Sequence, residues 1–144
     1  MKNLLIIAHG SRREESNAEI RLLGKKVADS MPFFIDDVAV AFLELSSPTI
    51  GEAIDTCFNK GVEELFILPY FLSAGNHVAK DIPHEIDIAR TSWKDRKITT
   101  LPHIGESNEM VKLIDRTFKK FQDSQKLIDR PTTYFFKGLP TKSW

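Results

Sequence analysis

The chain has 144 residues, and its 20 lysines and arginines balance its 20 aspartates and glutamates, so its formal net charge is zero. A neutral chain has no overall attraction for nucleic acid or for an anionic membrane surface, and neither is predicted as a partner. The single cysteine excludes a disulfide framework within one chain and fits a reducing, cytoplasmic compartment. The N-terminal apolar run is too short to span a bilayer and no small-residue cleavage site follows it, so we predict no signal peptide.

Four apolar runs predict the strands of one sheet. They cover residues 4–8, 38–45, 64–72 and 97–101. The first run is uninterrupted, as in a parallel strand that is buried on both faces. The third is expected to end or bulge at Pro69, because proline cannot donate to a strand ladder. The fourth is less apolar and is placed nearer an edge of the sheet.

Apolar residues at helical spacing follow each strand. The predicted helices cover residues 14–31, residues 47–61, a third stretch that begins near Asp81, and residues 107–121. Ser47 is predicted to cap the second helix with Pro48 at its first helical position, and Gly61 to end it. Strands and helices that alternate and are joined by short loops predict an α/β fold, an open parallel sheet of about four strands with helices on both faces.

This alternation stops before the last stretch of the chain. We therefore assign residues 1–124 to one α/β domain and residues 125–144 to a C-terminal arm that packs on the domain or on a partner subunit. The arm holds an aromatic triplet at residues 134–136 and Trp144, set between prolines and a glycine. A fifth strand over residues 132–136 is the alternative interpretation.

In open parallel sheets, ligands bind beyond the carboxyl ends of the strands, so the residues at these ends form the candidate site. His9 follows the first strand, Glu44 lies at the end of the second, His77 follows the third and His103 follows the fourth. Neutral imidazole is the commonest metal ligand in proteins. We predict that His9 and His77 together hold a divalent metal with positions left open, and we treat His103 as secondary.

Three of these residues also have a plainer interpretation. His9 could be a strand-end histidine hydrogen-bonded to a carbonyl group, and His77 could be a residue that only leads into a helix. Glu44 is costly in an apolar strand unless it is paired or functional, which favours a catalytic proton acceptor. Strand alternation that directs the Glu44 side chain to solvent is the alternative.

Polar and basic residues flank the two histidines. We predict that five of them bind an anionic substrate, namely Ser11, Arg12, Ser73, Asn76 and Lys80. The cationic members suit carboxylates or phosphates, and ordinary surface charge is the alternative explanation.

Three ordered motifs resemble one known family. They are Leu-Leu-Ile-Ile-Ala-His-Gly-Ser-Arg-Arg at residues 4–13, Ala-Phe-Leu-Glu-Leu-Ser-Ser-Pro at residues 41–48, and Leu-Pro-Tyr-Phe-Leu-Ser-Ala-Gly-Asn-His-Val-Ala-Lys-Asp-Ile-Pro at residues 68–83. Together they resemble the small CbiX-type sirohydrochlorin chelatases, which are class II chelatases of tetrapyrrole pathways. The resemblance runs from about residue 4 to residue 121.

That resemblance implies a chelatase-like α/β fold and a homodimer of short chains. It also implies insertion of a divalent metal into sirohydrochlorin or a related tetrapyrrole, in biosynthesis of the cobalamin or sirohaem type. Co²⁺ is the expected metal, with Ni²⁺ or Fe²⁺ as alternatives, and the metal is a substrate, so no permanently bound cofactor is expected. The family's metal-binding histidines correspond to His9 and His77, and Glu44 matches an acidic position of the second motif.

Two other functions are kept as alternatives. The first is a metal or tetrapyrrole carrier that has the fold but lacks turnover. The second, ranked below it, is a phosphohistidine phosphotransferase, since such sites also begin with His-Gly after a first strand. Those sites usually have an arginine just before the histidine, where this chain has Ala8.

Overall fold

The computed structural model describes residues 1–128. The chain forms two compact units, Met1–Ser107 and a second unit that begins at Asn108. Most of the predicted C-terminal arm, and the whole of the alternative strand over residues 132–136, lie outside the described residues. The domain boundary placed after residue 124 stays a prediction.

The first unit is built on a four-stranded parallel sheet, which confirms the predicted fold class. Its strands are β1 (Lys2–Ala8), β2 (Asp37–Phe42), β3 (Glu64–Pro69) and β4 (Lys97–Thr100). They lie in the order β2-β1-β3-β4, so β1 is central and β4 lies at an edge. Ile7 of β1 pairs with Ala41 of β2 and with Pro69 of β3, so these three strands end side by side.

Helices cover both faces of this sheet, as predicted. They are α1 (Glu14–Ser30), α2 (Ile50–Asn59) and α3 (Ile82–Ser92). On one face α1 approaches β2 closely, since a Cβ at Gly24 would lie only 2.8 Å from Cγ2 of Val40. On the other face α2 packs against β1, β2 and α3.

The hydrophobic core lies between the sheet and the helices α2 and α3. The apolar residues at helical spacing on α2 are buried, namely Ile50, Ile54, Cys57 and Phe58. They pack with fully buried residues of β1 and β3 such as Leu5 and Ile67. Burial also raises the pKa of the Cys57 thiol, because the thiolate would lose its hydration, so this side chain is an apolar packing group.

The predicted start of α2 is wrong. The carbonyl group of Pro48 accepts the N–H of Phe42 at 2.9 Å, so the chain at residues 47–48 still runs alongside β2. The N-cap is Thr49, whose side-chain oxygen accepts the backbone N–H of Glu52 at 3.3 Å. Gly61 follows the end of the helix as predicted, with a positive φ of 97° that favours glycine.

Two segments at the carboxyl edge of the sheet also differ from expectation. The strand β2 ends at Phe42, so Glu44 lies in the following loop and is not the strand residue that we inferred. The strand β3 ends at Pro69, as its proline predicted. The loop expected after it is helical in part, because His77–Asp81 forms a π-helical turn that continues into α3.

The described part of the second unit contains the helix α4 (Glu109–Ile128), which is longer than the predicted helix over residues 107–121. Its sequence is amphipathic, and none of its residues is buried. Five residues of its apolar face line a groove, namely Leu113, Ile114, Thr117, Phe118 and Phe121. Among residues 1–128, no helix has both the length and the apolar character needed to cross a membrane.

Candidate functional site

The loop after β1 is held against the loop after β2. Gly10 has a φ of 96°, and a Cβ at this position would lie 1.8 Å from the carbonyl oxygen of Glu44. Glycine is therefore required by the backbone conformation and by the close approach alike. The N–H of Glu44 donates to the carbonyl group of His9 at 3.0 Å, which extends the pairing of β1 and β2. As a result, Oε1 of Glu44 lies 3.0 Å from Nε2 of His9.

A buried side chain of α1 fixes the same loop. Asn17 is 3% exposed; its Oδ1 accepts the Ser11 N–H at 2.9 Å and its Nδ2 donates to the Ser11 carbonyl at 2.8 Å. Its Nδ2 also donates to Glu14, and hydrogen bonds from Arg21 and Asn17 lower the pKa of that carboxyl. We did not predict this role for Asn17. The available signal was a polar amide at a helix position that faces the sheet.

The second histidine lies on the π-helical turn His77–Asp81, a type of turn that is frequent at functional sites. Oδ2 of Asp81 lies 2.7 Å from Nδ1 of His77. The centroid of the His77 ring is 4.8 Å from that of His9 and 6.3 Å from that of Phe71. The structure therefore brings together the two histidines that the sequence placed at one edge of the sheet.

Both imidazoles use Nδ1 for a local hydrogen bond, and this decides which nitrogen remains for a ligand. Nδ1 of His9 is 2.9 Å from the carbonyl oxygen of Gly10, which can only accept, so Nδ1 carries a proton. The carboxylate of Asp81 assigns the proton of His77 in the same way. Nε2 is therefore the nitrogen of each ring that its own turn does not use. In His9 this nitrogen lies 3.0 Å from Oε1 of Glu44, so a metal ion that binds there would take the place of the Glu44 contact.

Imidazole nitrogens such as those of His9 and His77 suit Co²⁺, Ni²⁺ or Fe²⁺, and the Glu44 carboxylate lies beside them. The three side chains are accessible, with 43% exposure for His9, 42% for His77 and 54% for Glu44. Among the described residues, no group of three or more His, Cys, Asp or Glu side chains is arranged to hold a metal ion. The metal-binding roles of His9 and His77 and the catalytic role of Glu44 stay predictions.

The residues predicted to bind an anionic substrate lie on the two segments that carry the histidines. Ser11 supports its own loop, since its hydroxyl accepts the Arg13 N–H at 3.0 Å. The others are exposed, namely Arg12, Ser73, Asn76 and Lys80. Exposed apolar side chains also follow β2 and β3, namely Leu45, Tyr70 and Leu72. Substrate binding by the predicted residues is untested and stays a prediction.

The secondary candidate His103 follows β4, where its Nδ1 lies 3.6 Å from Oε2 of Glu106. The turn that contains both is pressed against the segment after β3. The N–H of Gly105 donates to the carbonyl group of Phe71 at 3.0 Å, and a Cβ at Gly105 would lie 1.9 Å from the carbonyl oxygen of Leu72. The β4 loop therefore supports the segment that leads to the second histidine.

The fold and this edge of the sheet define a class of protein, an α/β protein with an open parallel sheet that presents two imidazoles beyond neighbouring strands. A sequence model of the CbiX family matches residues 3–120, and the chain belongs to that family. The resemblance inferred from the three motifs is thereby confirmed.

Known relatives are similar over much of this length. A sirohydrochlorin cobaltochelatase from Methanopyrus kandleri is 30% identical over 95 residues, which cover 66% of this chain and 64% of the relative. A sirohydrochlorin ferrochelatase from Bacillus subtilis is 30% identical over 118 residues, covering 81% and 44% of the two chains. The solved sirohydrochlorin chelatase SirB from Bacillus subtilis subspecies spizizenii, in complex with cobalt, has a TM-score of 0.73 and 26% identity, over 83% of this chain and 50% of that one. The matched part of this chain thus spans less than two thirds of each of these proteins.

Proposed function

We propose that the protein is a sirohydrochlorin chelatase, a lyase that inserts a divalent metal ion into sirohydrochlorin or a related tetrapyrrole. The observation that carries the proposal is the pair His9 and His77, whose rings lie 4.8 Å apart. Each ring has its Nδ1 engaged by a local acceptor, which leaves Nε2 as the nitrogen for a metal ion. Nε2 of His9 lies against Oε1 of Glu44, the proposed proton acceptor. Both histidines are partly exposed, as is required of ligands that must release their metal to a second molecule.

Co²⁺ is the proposed metal, with Ni²⁺ and Fe²⁺ as alternatives. Relatives of the chain include cobaltochelatases and a ferrochelatase, so membership of the family supports more than one metal. Ligand type does not choose among these ions, because their affinities for nitrogen sites follow the Irving–Williams order. The metal is a substrate in this proposal, and no permanently bound cofactor is required.

The reaction exchanges one metal ion for the two protons of the pyrrole N–H groups. In our proposal His9 and His77 hold the metal at the ring, and Glu44 takes a proton, as does a histidine after it releases the metal. The substrate carboxylates bind Arg12 and Lys80, with Ser11, Ser73 and Asn76 as further polar contacts. The apolar face of the macrocycle covers the exposed apolar side chains at the same edge, namely Leu45, Tyr70 and Leu72.

The test is an anaerobic absorbance assay with sirohydrochlorin and each of Co²⁺, Ni²⁺ and Fe²⁺. We expect His9→Ala and His77→Ala each to lower the insertion rate by about 100-fold or more. Substituting a residue that only hydrogen-bonds to a metal ligand already lowers metal affinity or activity by about 10–100-fold. His84→Ala is the matched control, because His84 is exposed on α3 and lies outside the proposed site. Circular dichroism should show that all three variants keep the fold.

Three results of this assay would count against the proposal. Folded wild-type protein that changes the spectrum with none of the metals would rule out chelation of sirohydrochlorin. Full activity in one histidine variant would remove that residue from the mechanism. Binding of metal and tetrapyrrole without product would favour the carrier alternative.

A homodimer, located in the cytoplasm, is also part of the proposal. The structural support for the homodimer is exposed apolar surface. In the first unit, a groove of about 380 Å³ beside α1 is lined by Leu4, Val27, Met31, Phe34, Ile35, Phe66, Leu68 and Leu101. The apolar face of α4 is exposed as well. Such surfaces are typical of protein–protein contacts, and a second copy of the chain is the proposed occupant.

A further inference from the structure

The carboxylate beside His77 has no role in the chemistry described so far. Oδ2 of Asp81 lies 2.7 Å from Nδ1 of His77, and the side chains are 49% and 42% exposed. The two residues occupy the first and last positions of the π-helical turn that leads into α3. From the sequence, Asp81 marked only the start of a helix.

Asp81 does not serve as an N-cap of α3. Its backbone is itself helical, with φ −69° and ψ −46°, and the π-helical turn continues through it into α3, whereas an N-cap residue has a non-helical conformation. The carboxylate is directed instead to the imidazole of His77.

An ionised carboxylate accepts hydrogen bonds and cannot donate them. Its contact with Nδ1 therefore keeps the proton of a neutral His77 on Nδ1 and leaves the lone pair on Nε2. The same contact fixes the rotation of the ring, which also lies against the rings of His9 and Phe71.

The two histidines differ in how their proton is assigned. Nδ1 of His9 is held by the backbone carbonyl of Gly10, which no side-chain substitution removes. Nδ1 of His77 is held by a side chain, which a single substitution removes. A substitution of Asp81 therefore removes the Nδ1 hydrogen bond of His77 and leaves that of His9 in place.

We propose that Asp81 is a positioning residue, which holds His77 in the tautomer and orientation that present Nε2 to the metal ion. This inference rests on the proposed function, because that proposal makes His77 a metal ligand. Asp81 itself touches neither the metal nor the tetrapyrrole in this arrangement.

The test compares Asp81→Ala with Asp81→Glu, which restores an acceptor-only carboxylate on a longer stem. Co²⁺ alone is titrated into each protein, and the ¹⁵N shifts of His77 in the metal-free protein report which ring nitrogen carries the proton. Asp81→Ala should weaken Co²⁺ binding by about 10–100-fold and shift the His77 proton toward Nε2. Asp81→Glu should recover most of both properties.

Asp87→Ala is the matched control, since Asp87 is an exposed aspartate of α3 whose carboxylate pairs with Arg90 at 3.3 Å. Asp87→Ala should leave both the Co²⁺ affinity and the position of the His77 proton unchanged. The melting temperature of Asp81→Ala should stay near that of the wild type, because an exposed ion pair contributes little to stability. A general loss of structure would instead lower the melting temperature and weaken binding together.

The inference is overturned if Asp81→Ala keeps the wild-type Co²⁺ affinity and the proton on Nδ1 of His77. It is also overturned if the wild-type ring already carries its proton on Nε2. Failure of the proposed function gives a different pattern. In that case the wild-type protein inserts no metal into sirohydrochlorin, while Asp81→Ala still shifts the His77 proton.

Discussion

Gly10 sets the distance between the loops after β1 and β2, and with it the contact between His9 and Glu44. Its φ is 96°, and a Cβ there would lie 1.8 Å from the Glu44 carbonyl oxygen. Gly61 has nearly the same φ, 97°, but nothing lies within 4 Å of the position that its Cβ would take. Substitutions at the two glycines therefore separate two contributions to the free energy of unfolding: the strained backbone conformation, which both share, and the steric clash, which only Gly10 would have.

We expect Gly61→Ala to lower the free energy of unfolding by about 1–2 kcal/mol, the cost of a left-handed conformation for a residue with a side chain. Gly10→Ala should lower it by about 2–5 kcal/mol, because overpacking against Glu44 adds to that strain. Urea unfolding of both variants checks the difference, and the insertion assay should show a loss of activity in Gly10→Ala alone. Equal losses of stability in the two variants would contradict the importance of the close approach.

Single residues show how far the candidate site could be predicted. His9 and His77 were found because each follows an apolar strand, and the carboxyl ends of parallel strands meet at one edge. Asn17 and Asp81 were not found, because their roles depend on which backbone or ring atom lies opposite them in the folded chain. Local sequence does not identify those partner atoms, although the sheet-facing position of Asn17 on α1 was a signal that its amide would be buried.

The helix α2 contributes to the core through a stripe that the sequence predicted, but it begins at a residue that the sequence did not. Thr49 accepts the N–H of Glu52 at 3.3 Å and donates its hydroxyl to the Glu52 carboxylate at 3.0 Å. Removing this cap exposes an unsatisfied N–H of the first turn. We expect Thr49→Ala to lower the free energy of unfolding by about 1 kcal/mol, and Thr49→Ser to preserve it.

Thermal and urea unfolding of the two Thr49 variants measure this effect. A Thr49→Ala protein as stable as the wild type would show that the cap contributes nothing. A Thr49→Ser protein as unstable as the alanine variant would assign the loss to the methyl group of Thr49, since serine keeps only the hydroxyl.

Elements as a whole were predicted better than their ends. Continuous apolar runs identified the strands because both faces of a parallel sheet are buried. The end of β2 was placed too late, because the apolar run continues past Phe42 into Leu43 and Leu45. The π-helical turn His77–Asp81 falls within a predicted loop, since Gly75 and Asn76 just before it are typical of irregular chain. Tertiary contacts decide such boundaries.

At the scale of the whole molecule, the proposed homodimer makes a prediction about solution mass. Light scattering coupled to size exclusion should give about twice the chain mass of 16.4 kDa. Phe118 is 60% exposed on the apolar face of α4, so Phe118→Gln should weaken association by about tenfold or more if this face lies in the interface. Lys120→Gln, an exposed position of the same helix, is the matched control.

A wild-type protein that is monomeric at every concentration would contradict the homodimer. A stable dimer that tolerates Phe118→Gln would keep the homodimer but place its interface away from α4. The groove beside α1 would then be the surface to alter next, with Phe66→Gln as the corresponding change.

The two residues assigned to the metal, His9 and His77, follow strands β1 and β3, which are neighbours in the sheet but far apart along the chain. Under the proposed function, an ion that bridges them binds the folded sheet and not the unfolded chain. By thermodynamic linkage it stabilises the fold, by about 2.7 kcal/mol when the free ion is at 100 times its Kd. Each transfer to a tetrapyrrole returns the protein to its less stable, empty form. The metal supply of the cell would then govern the lifetime of the folded protein as well as its output.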